Sequence, residues 1–161
     1  MTGLEELYRQ QAEPCGRLAF LLTSDSEQAQ ELVQEAFVRL MARWRHIKDP
    51  LALRSYLRRT ITNLAIKGYR KKSTERAYLR QWGRPAAPLM TQPDIETRHQ
   101  LMHALKLLPL RQRAVVVLRY YEDLPEKDIA EILRCPLGTV KSSLSRALGS
   151  MRVQLEGAQD E

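Results

Sequence analysis

The chain of 161 residues has only two cysteines, Cys15 and Cys135, and they belong to no Cys-x-x-Cys pair. That scarcity argues against a disulfide framework and against a zinc site, and predicts that each is a small side chain packed in a core. His46, His99 and His103 suggest no catalytic triad, and there is no glycine-rich loop to cradle a phosphate. No catalytic residue, metal ligand or cofactor is therefore predicted. No apolar run approaches the length needed to span a bilayer, and the amino terminus lacks a basic stretch followed by an apolar one. The expected location is the cytoplasm. Convincing alternating strands are missing too, so the predicted fold class is all-α.

What the chain does have is positive charge. The formal net charge is +7 and the pI about 9.7, which point to a polyanionic partner, most simply nucleic acid. The charge is also sorted. Glu5, Glu6, Glu13, Asp25, Glu27, Glu31 and Glu35 outweigh Arg9 and Arg17 before residue 39, whereas residues 39–84 hold fourteen Lys and Arg against Asp49 and Glu75. The front segment suits a basic partner and the middle an acidic one.

Apolar periodicity divides the chain. Leu4, Leu7 and Tyr8, then Leu18, Ala19, Leu21 and Leu22, predict one or two opening helices broken near Pro14. Thr23-Ser-Asp-Ser offers capping chemistry before the next helix. Ala29, Leu32, Val33, Ala36, Phe37, Leu40, Met41, Trp44 and Ile47 then follow a 3.6-residue period. Asp49-Pro50 marks a loop. Leu53, Tyr56, Leu57, Thr60, Ile61, Leu64, Ala65 and Gly68 form another apolar stripe, with bases crowding the rest of that helix. Between 73 and 94 the pattern fails among Gly83, Pro85, Pro88 and Pro93, which predicts a flexible linker. Met102, Leu105 and Leu108 predict a helix stopped at Pro109, and Ala114, Val115, Val117, Leu118 and Tyr121 another. The expected organisation is a domain over 1–72, a linker over 73–94 and a domain over 95–156.

The most informative stretch runs from Asp128 to Leu148. Ile129, Ala130, Ile132 and Leu133 give a short helix its apolar side. After a tight turn, Val140, Leu144, Ala147, Leu148, Met151 and Leu155 give one to a second helix. Thr139, Lys141, Ser142, Ser145 and Arg146 then face away from the packed side. Hydroxyls, one Lys and one Arg on such a face can reach base edges and phosphates in a major groove. A merely solvated outer face is the alternative; the scaffold helix, the tight turn and the Gly138-Thr-Val entry favour DNA recognition by a helix-turn-helix.

Glu31-Leu-Val-Gln-Glu-Ala-Phe-Val-Arg is similar to a signature in the first domain of one family, the bacterial sigma factors of the extracytoplasmic-function (ECF) group. Ser55-Tyr-Leu-Arg-Arg-Thr-Ile-Thr-Asn-Leu-Ala with Tyr69-Arg-Lys-Lys resembles its −10-reading helix. Leu108-Pro-Leu-Arg-Gln-Arg-Ala-Val-Val-Val-Leu-Arg-Tyr-Tyr and Gly138-Thr-Val-Lys-Ser resemble its second domain, and Leu21-Leu-Thr-Ser-Asp is similar to a compact subgroup common in actinobacteria. The resemblance implies a non-catalytic subunit that binds core RNA polymerase and directs initiation at promoter DNA. It implies contact with the polymerase clamp by Glu31, Gln34 and Glu35, and contact with the −10 element by His46, Asn63, Lys67, Arg70, Lys71 and Lys72. It assigns the −35 element to Thr139, Lys141, Ser142, Ser145 and Arg146. An anti-sigma protein is a further partner the resemblance implies.

Some positions depart from the family. Lys67 stands where the family has Asp, Arg134 where it has Gly, Pro125 and Pro136 where it has a capping Ser, and Ser143 where it has a base. An arginine in a turn that needs positive φ costs on the order of 1 kcal/mol or forces another turn. For Trp44 and Tyr56, core packing competes with base stacking. For Arg111 and Arg113, bracing of a DNA backbone competes with simple solvation. Two other functions compete with the sigma-factor reading: a stand-alone helix-turn-helix regulator, and an enzyme acting on nucleic acid, for which Asp49 and Glu75 supply too few carboxylates.

Overall fold

A computed structural model of the protein describes residues 2–68 and 95–159. The expected linker at 73–94, and Arg70, Lys71 and Lys72 before it, lie outside the described residues. The chain is all-α there and divides into two compact units, residues 1–90 and 91–161. Among the described residues no helix is long and apolar enough to cross a membrane.

The first unit is three helices packed on one another. Helix α1 runs Thr2–Thr23 without interruption and contains Pro14, so the expected break there does not occur. Pro14 has no N–H for the Gln10 carbonyl and costs about 3 kcal/mol in a helix interior. The buried stripe of Leu7, Gln11, Cys15, Leu18 and Leu22 runs straight past it. Each buried leucine contributes roughly 1.5–3 kcal/mol, which outweighs the proline.

Ser24 turns the chain at φ 55. Asp25 caps α2 (Ser26–Arg43), its carboxylate accepting from the Glu27 and Gln28 amides at 3.0 and 3.2 Å. Helix α2 buries Ala29, Leu32, Val33, Ala36, Phe37 and Leu40. A 3-10 turn, Trp44–His46, leads to Asp49, which caps α3 (Pro50–Ile66) through the Leu51 amide at 3.0 Å. The loop expected at Asp49-Pro50 thus ends at Asp49, whose extended backbone suits a residue before proline, and Pro50 opens the helix where a missing N–H is harmless. Gly68, at φ 68, closes α3, its amide donating to Ala65. Leu53, Leu57, Ile61, Leu64 and Ala65 are buried as their spacing predicts. The fully buried threonine is Thr62 rather than the expected Thr60.

The second unit contains α4 (Ile95–Leu107), α5 (Leu110–Val116), a π-helical turn (Val117–Tyr121), α6 (Glu126–Leu133) and α7 (Leu137–Gln159). Helices α4, α5 and α6 all pack on α7. Pro109 separates α4 from α5 as the sequence predicts. Ala114 through Leu118 are all buried.

Candidate nucleic-acid interface

Helix α6 presents Ile129, Ala130, Ile132 and Leu133 to the interior. It ends in two reciprocal backbone bonds, Arg134 N–H to the Glu131 carbonyl at 3.3 Å and Cys135 N–H to the Ala130 carbonyl at 3.1 Å. That pair forms when the residue after the helix turns left-handed, and Arg134 does so at φ 54, ψ 50. The arginine therefore adopts the strained turn rather than forcing another. Pro136 then starts α7, its carbonyl accepting from the Thr139 and Val140 amides. Proline offers no side-chain oxygen to these first-turn donors, and Pro125 before α6 likewise makes no side-chain cap.

Along α7, Val140, Ala147 and Met151 are buried and Leu144 and Leu155 half-buried, whereas Leu148, expected in the apolar stripe, is 39% exposed. Thr139, Lys141, Ser142, Ser145 and Arg146 are all exposed. At 100° per residue, Ser142 and Ser145 lie near the middle of the face opposite Val140, and Lys141 and Arg146 flank it on opposite sides. The Ser142 hydroxyl donates to the Thr139 carbonyl at 3.1 Å and keeps its oxygen as an acceptor. A β-carbon on Gly138 or Gly149 would meet no atom within 4 Å, so the protein itself leaves this face open.

A second basic surface lies in the first unit. Arg59, Asn63 and Lys67 follow one another at i, i+4 and i+8 along α3, with Tyr56 on the same stripe. Arg59 and Lys67 are exposed and Asn63 half-buried. His46 is exposed in the 3-10 turn, among the exposed Arg43, Arg45 and Lys48. Trp44 is half-buried; a β-carbon on Gly3 would sit 3.3 Å from its ring, so the indole packs on α1. The Arg43 guanidinium lies over the Tyr56 ring, 5.9 Å from its centroid. Both rings thus have partners within the protein.

Glu31, Gln34 and Glu35, expected to meet the polymerase, follow one another at i, i+3 and i+4 on α2. Glu35 is held by Arg39 at 2.8 Å on a flank of α2, and Glu31 is half-buried. Gln34 is exposed and lines a cleft of about 540 Å³ between α1 and α2, with Leu4, Tyr8, Phe37, Val38 and Met41. The Tyr8 and Phe37 rings meet edge to face at 5.0 Å. Tyr8, Val38 and Met41 are 52, 55 and 53% exposed, and sequence reasoning missed this apolar surface. Its signal was Val38 directly after Phe37 and Met41 directly after Leu40, which make the apolar stripe wider than one helix face needs.

Arg113, expected to stay solvated or to brace DNA, instead turns inward. It donates to the carbonyls of Leu105 at 2.9 Å, Lys106 at 2.9 Å and Leu108 at 3.1 Å. Burial lowers the pKa of its guanidinium below the ordinary arginine value. Among the described residues no group of His, Cys, Asp and Glu could hold a metal ion.

Two family models match: Sigma-70 region 2 over residues 7–75 and Sigma-70, region 4 over residues 98–151. The chain is 36% identical over 152 residues to the RNA polymerase sigma-E factor of Streptomyces avermitilis, covering 94% of this chain and 84% of that one. It is 36% identical over 155 residues to the sigma-E factor of Streptomyces coelicolor, covering 94% and 85%. A third relative is the RNA polymerase sigma factor SigV of Bacillus subtilis, 30% identical over 141 residues, covering 86% and 82%. Among solved structures, the sigma factor RpoE of Bartonella quintana, in complex with the anti-sigma factor NepR, shares the fold with a TM-score of 0.69. The match is 22% identical and covers 94% of this chain and 98% of that one. Matches to both regions in order, together with relatives spanning nearly the whole chain, make this protein a member of the sigma-70 family, in its extracytoplasmic-function group.

Proposed function

We propose that the protein is a dissociable specificity subunit: it binds core RNA polymerase and directs transcription initiation at promoters with −10 and −35 elements. The α1–α2 cleft around Gln34, Val38 and Met41 engages the polymerase, with Glu31 and Glu35 adding acidic character beside it. His46, Asn63 and Lys67, with Arg70, Lys71 and Lys72 beyond the described residues, hold the −10 element. The outer face of α7, from Thr139 to Arg146, enters the major groove at −35. Phosphate contacts set the register there and a few hydroxyls read base edges.

The observation that carries this reading is the placement of side chains on α7, with Val140, Ala147 and Met151 inside and every polar candidate outside. The protein performs no bond-making itself and works in the cytoplasm, where its polymerase is. An anti-sigma protein is a further partner, of the kind present in the Bartonella quintana complex.

The test mixes purified protein with core polymerase and scores co-elution and promoter-directed transcripts. Both should appear, and transcripts should need the core enzyme. No co-elution and no transcription would remove the proposal. Tight specific binding to duplex promoter DNA without polymerase would instead make the chain a stand-alone regulator.

A further inference from the structure

We propose that Arg134, in the turn between α6 and α7, is a DNA-backbone contact whose guanidinium takes a phosphate beside the base pairs faced by α7. This rests on the −35 reading of α7 given above.

The first ground is backbone conformation. Arg134 sits at φ 54, ψ 50, where a β-carbon crowds the following carbonyl and glycine alone is free of strain. The hydrogen bonds of the turn do not ask for arginine. They run through the Arg134 and Cys135 amides, and glycine would make them equally well.

The second ground is the side chain. Arg134 is exposed, and its side chain makes no hydrogen bond, ion pair or ring contact among the described residues. Arg113 and Arg119 of the same unit, by contrast, commit their guanidinium groups to the protein: Arg113 to three carbonyls, Arg119 to the Leu124 carbonyl, Asp123 and the Tyr120 ring. Strain retained for a side chain that does nothing for the fold points to a role outside it.

The third ground is placement. Arg134 precedes the first residue of α7 by three positions, in the turn that leads into the amino end of the groove-facing helix. When a helix of this kind lies in the major groove, the scaffold helix crosses the sugar–phosphate backbone, so the turn between them is at its edge. Asparagine would tolerate the left-handed turn with less strain. A permanently charged planar fork adds what asparagine lacks, a geometry matched to phosphate oxygens.

The experiment uses the full chain assembled with core polymerase on a promoter fragment carrying both elements, titrated over a salt series. Arg134→Gly should raise the thermal midpoint of the second unit by roughly 4–8 °C. It should weaken promoter binding on the order of three- to tenfold near ~0.1 M salt, and make the slope of log K against log salt shallower by about 0.9. Arg134→Gln should lose the same affinity and slope without the gain in midpoint. Greater stability with weaker, less salt-sensitive binding is a pairing that a purely structural residue does not produce. Lys141→Ala is run in parallel. Full affinity and unchanged slope in Arg134→Gly, while Lys141→Ala binds weakly, would overturn this proposal and leave the −35 reading standing. Unchanged binding in both would remove the −35 reading and this contact with it. Weaker binding at an unchanged slope would assign Arg134 to a protein surface of the polymerase and overturn the DNA contact.

Discussion

The Arg113 guanidinium donates to the carbonyl of Leu105, eight residues back, at 2.9 Å, and ties the start of α5 to the end of α4 across Pro109. The last carbonyls of a helix have no intrahelical donor, and Lys106 and Leu108 are satisfied by the same side chain. Arg113→Ala leaves two part-buried acceptors and one exposed one without it and should destabilise the second unit by about 2–3 kcal/mol in urea unfolding. Arg113→Lys should recover little, because one ammonium cannot span three carbonyls. A loss below about 0.5 kcal/mol would show that water replaces the arginine without cost.

Pro14 sits mid-helix with its ring where an N–H should bond Gln10. Pro14→Ala restores that bond and should stabilise the first unit by about 2 kcal/mol, after allowance for the freer unfolded chain. Thermal unfolding measures it. A lowered midpoint would mean that the proline ring packs better than the bond it displaces.

Val38→Glu and Met41→Glu alter side chains already more than half exposed. Stability should change by no more than about 0.5 kcal/mol, while affinity for core polymerase falls tenfold or more as apolar contact is replaced by buried charge. Unaltered co-elution would move the polymerase-binding surface elsewhere on the chain.

Arg59→Ala with Lys67→Ala removes two charges from one stripe of α3. Open-complex formation should weaken, and its salt slope should fall by about 0.7 for each phosphate of single-stranded DNA no longer neutralised. Circular dichroism checks that the helix persists. An unchanged slope would take this stripe out of the −10 interaction.

The helix-turn-helix was legible because its information is local: Ile129, Ala130, Ile132, Leu133, Val140, Ala147 and Met151 declare their burial by spacing alone. Leu148 did not, because the partner helices cover only part of the apolar stripe. The α1–α2 cleft was hidden because it joins Tyr8 to Val38 and Met41, residues whose relation depends on how two helices pair. Arg113 was misread for a related reason. Its partners lie across a proline turn, and charge in a sequence does not say which carbonyls are orphaned. Pro14 misled because local propensity argued for a break, while the buried stripe on either side decided the matter.

Five consecutive side chains, Ala114 to Leu118, all lie inside, more than one face of an ordinary α-helix can hide. The rod they form, with its π turn, behaves as an axle: α7 is mounted on its first part and α6 on its last. Helices α6 and α7 are thus aligned by a hub that has no polar side chain in those five positions and no residue on the outer face of α7. A substitution on that outer face leaves the hub's packing untouched, whereas a methyl group removed from the hub opens a gap beneath both helices at once.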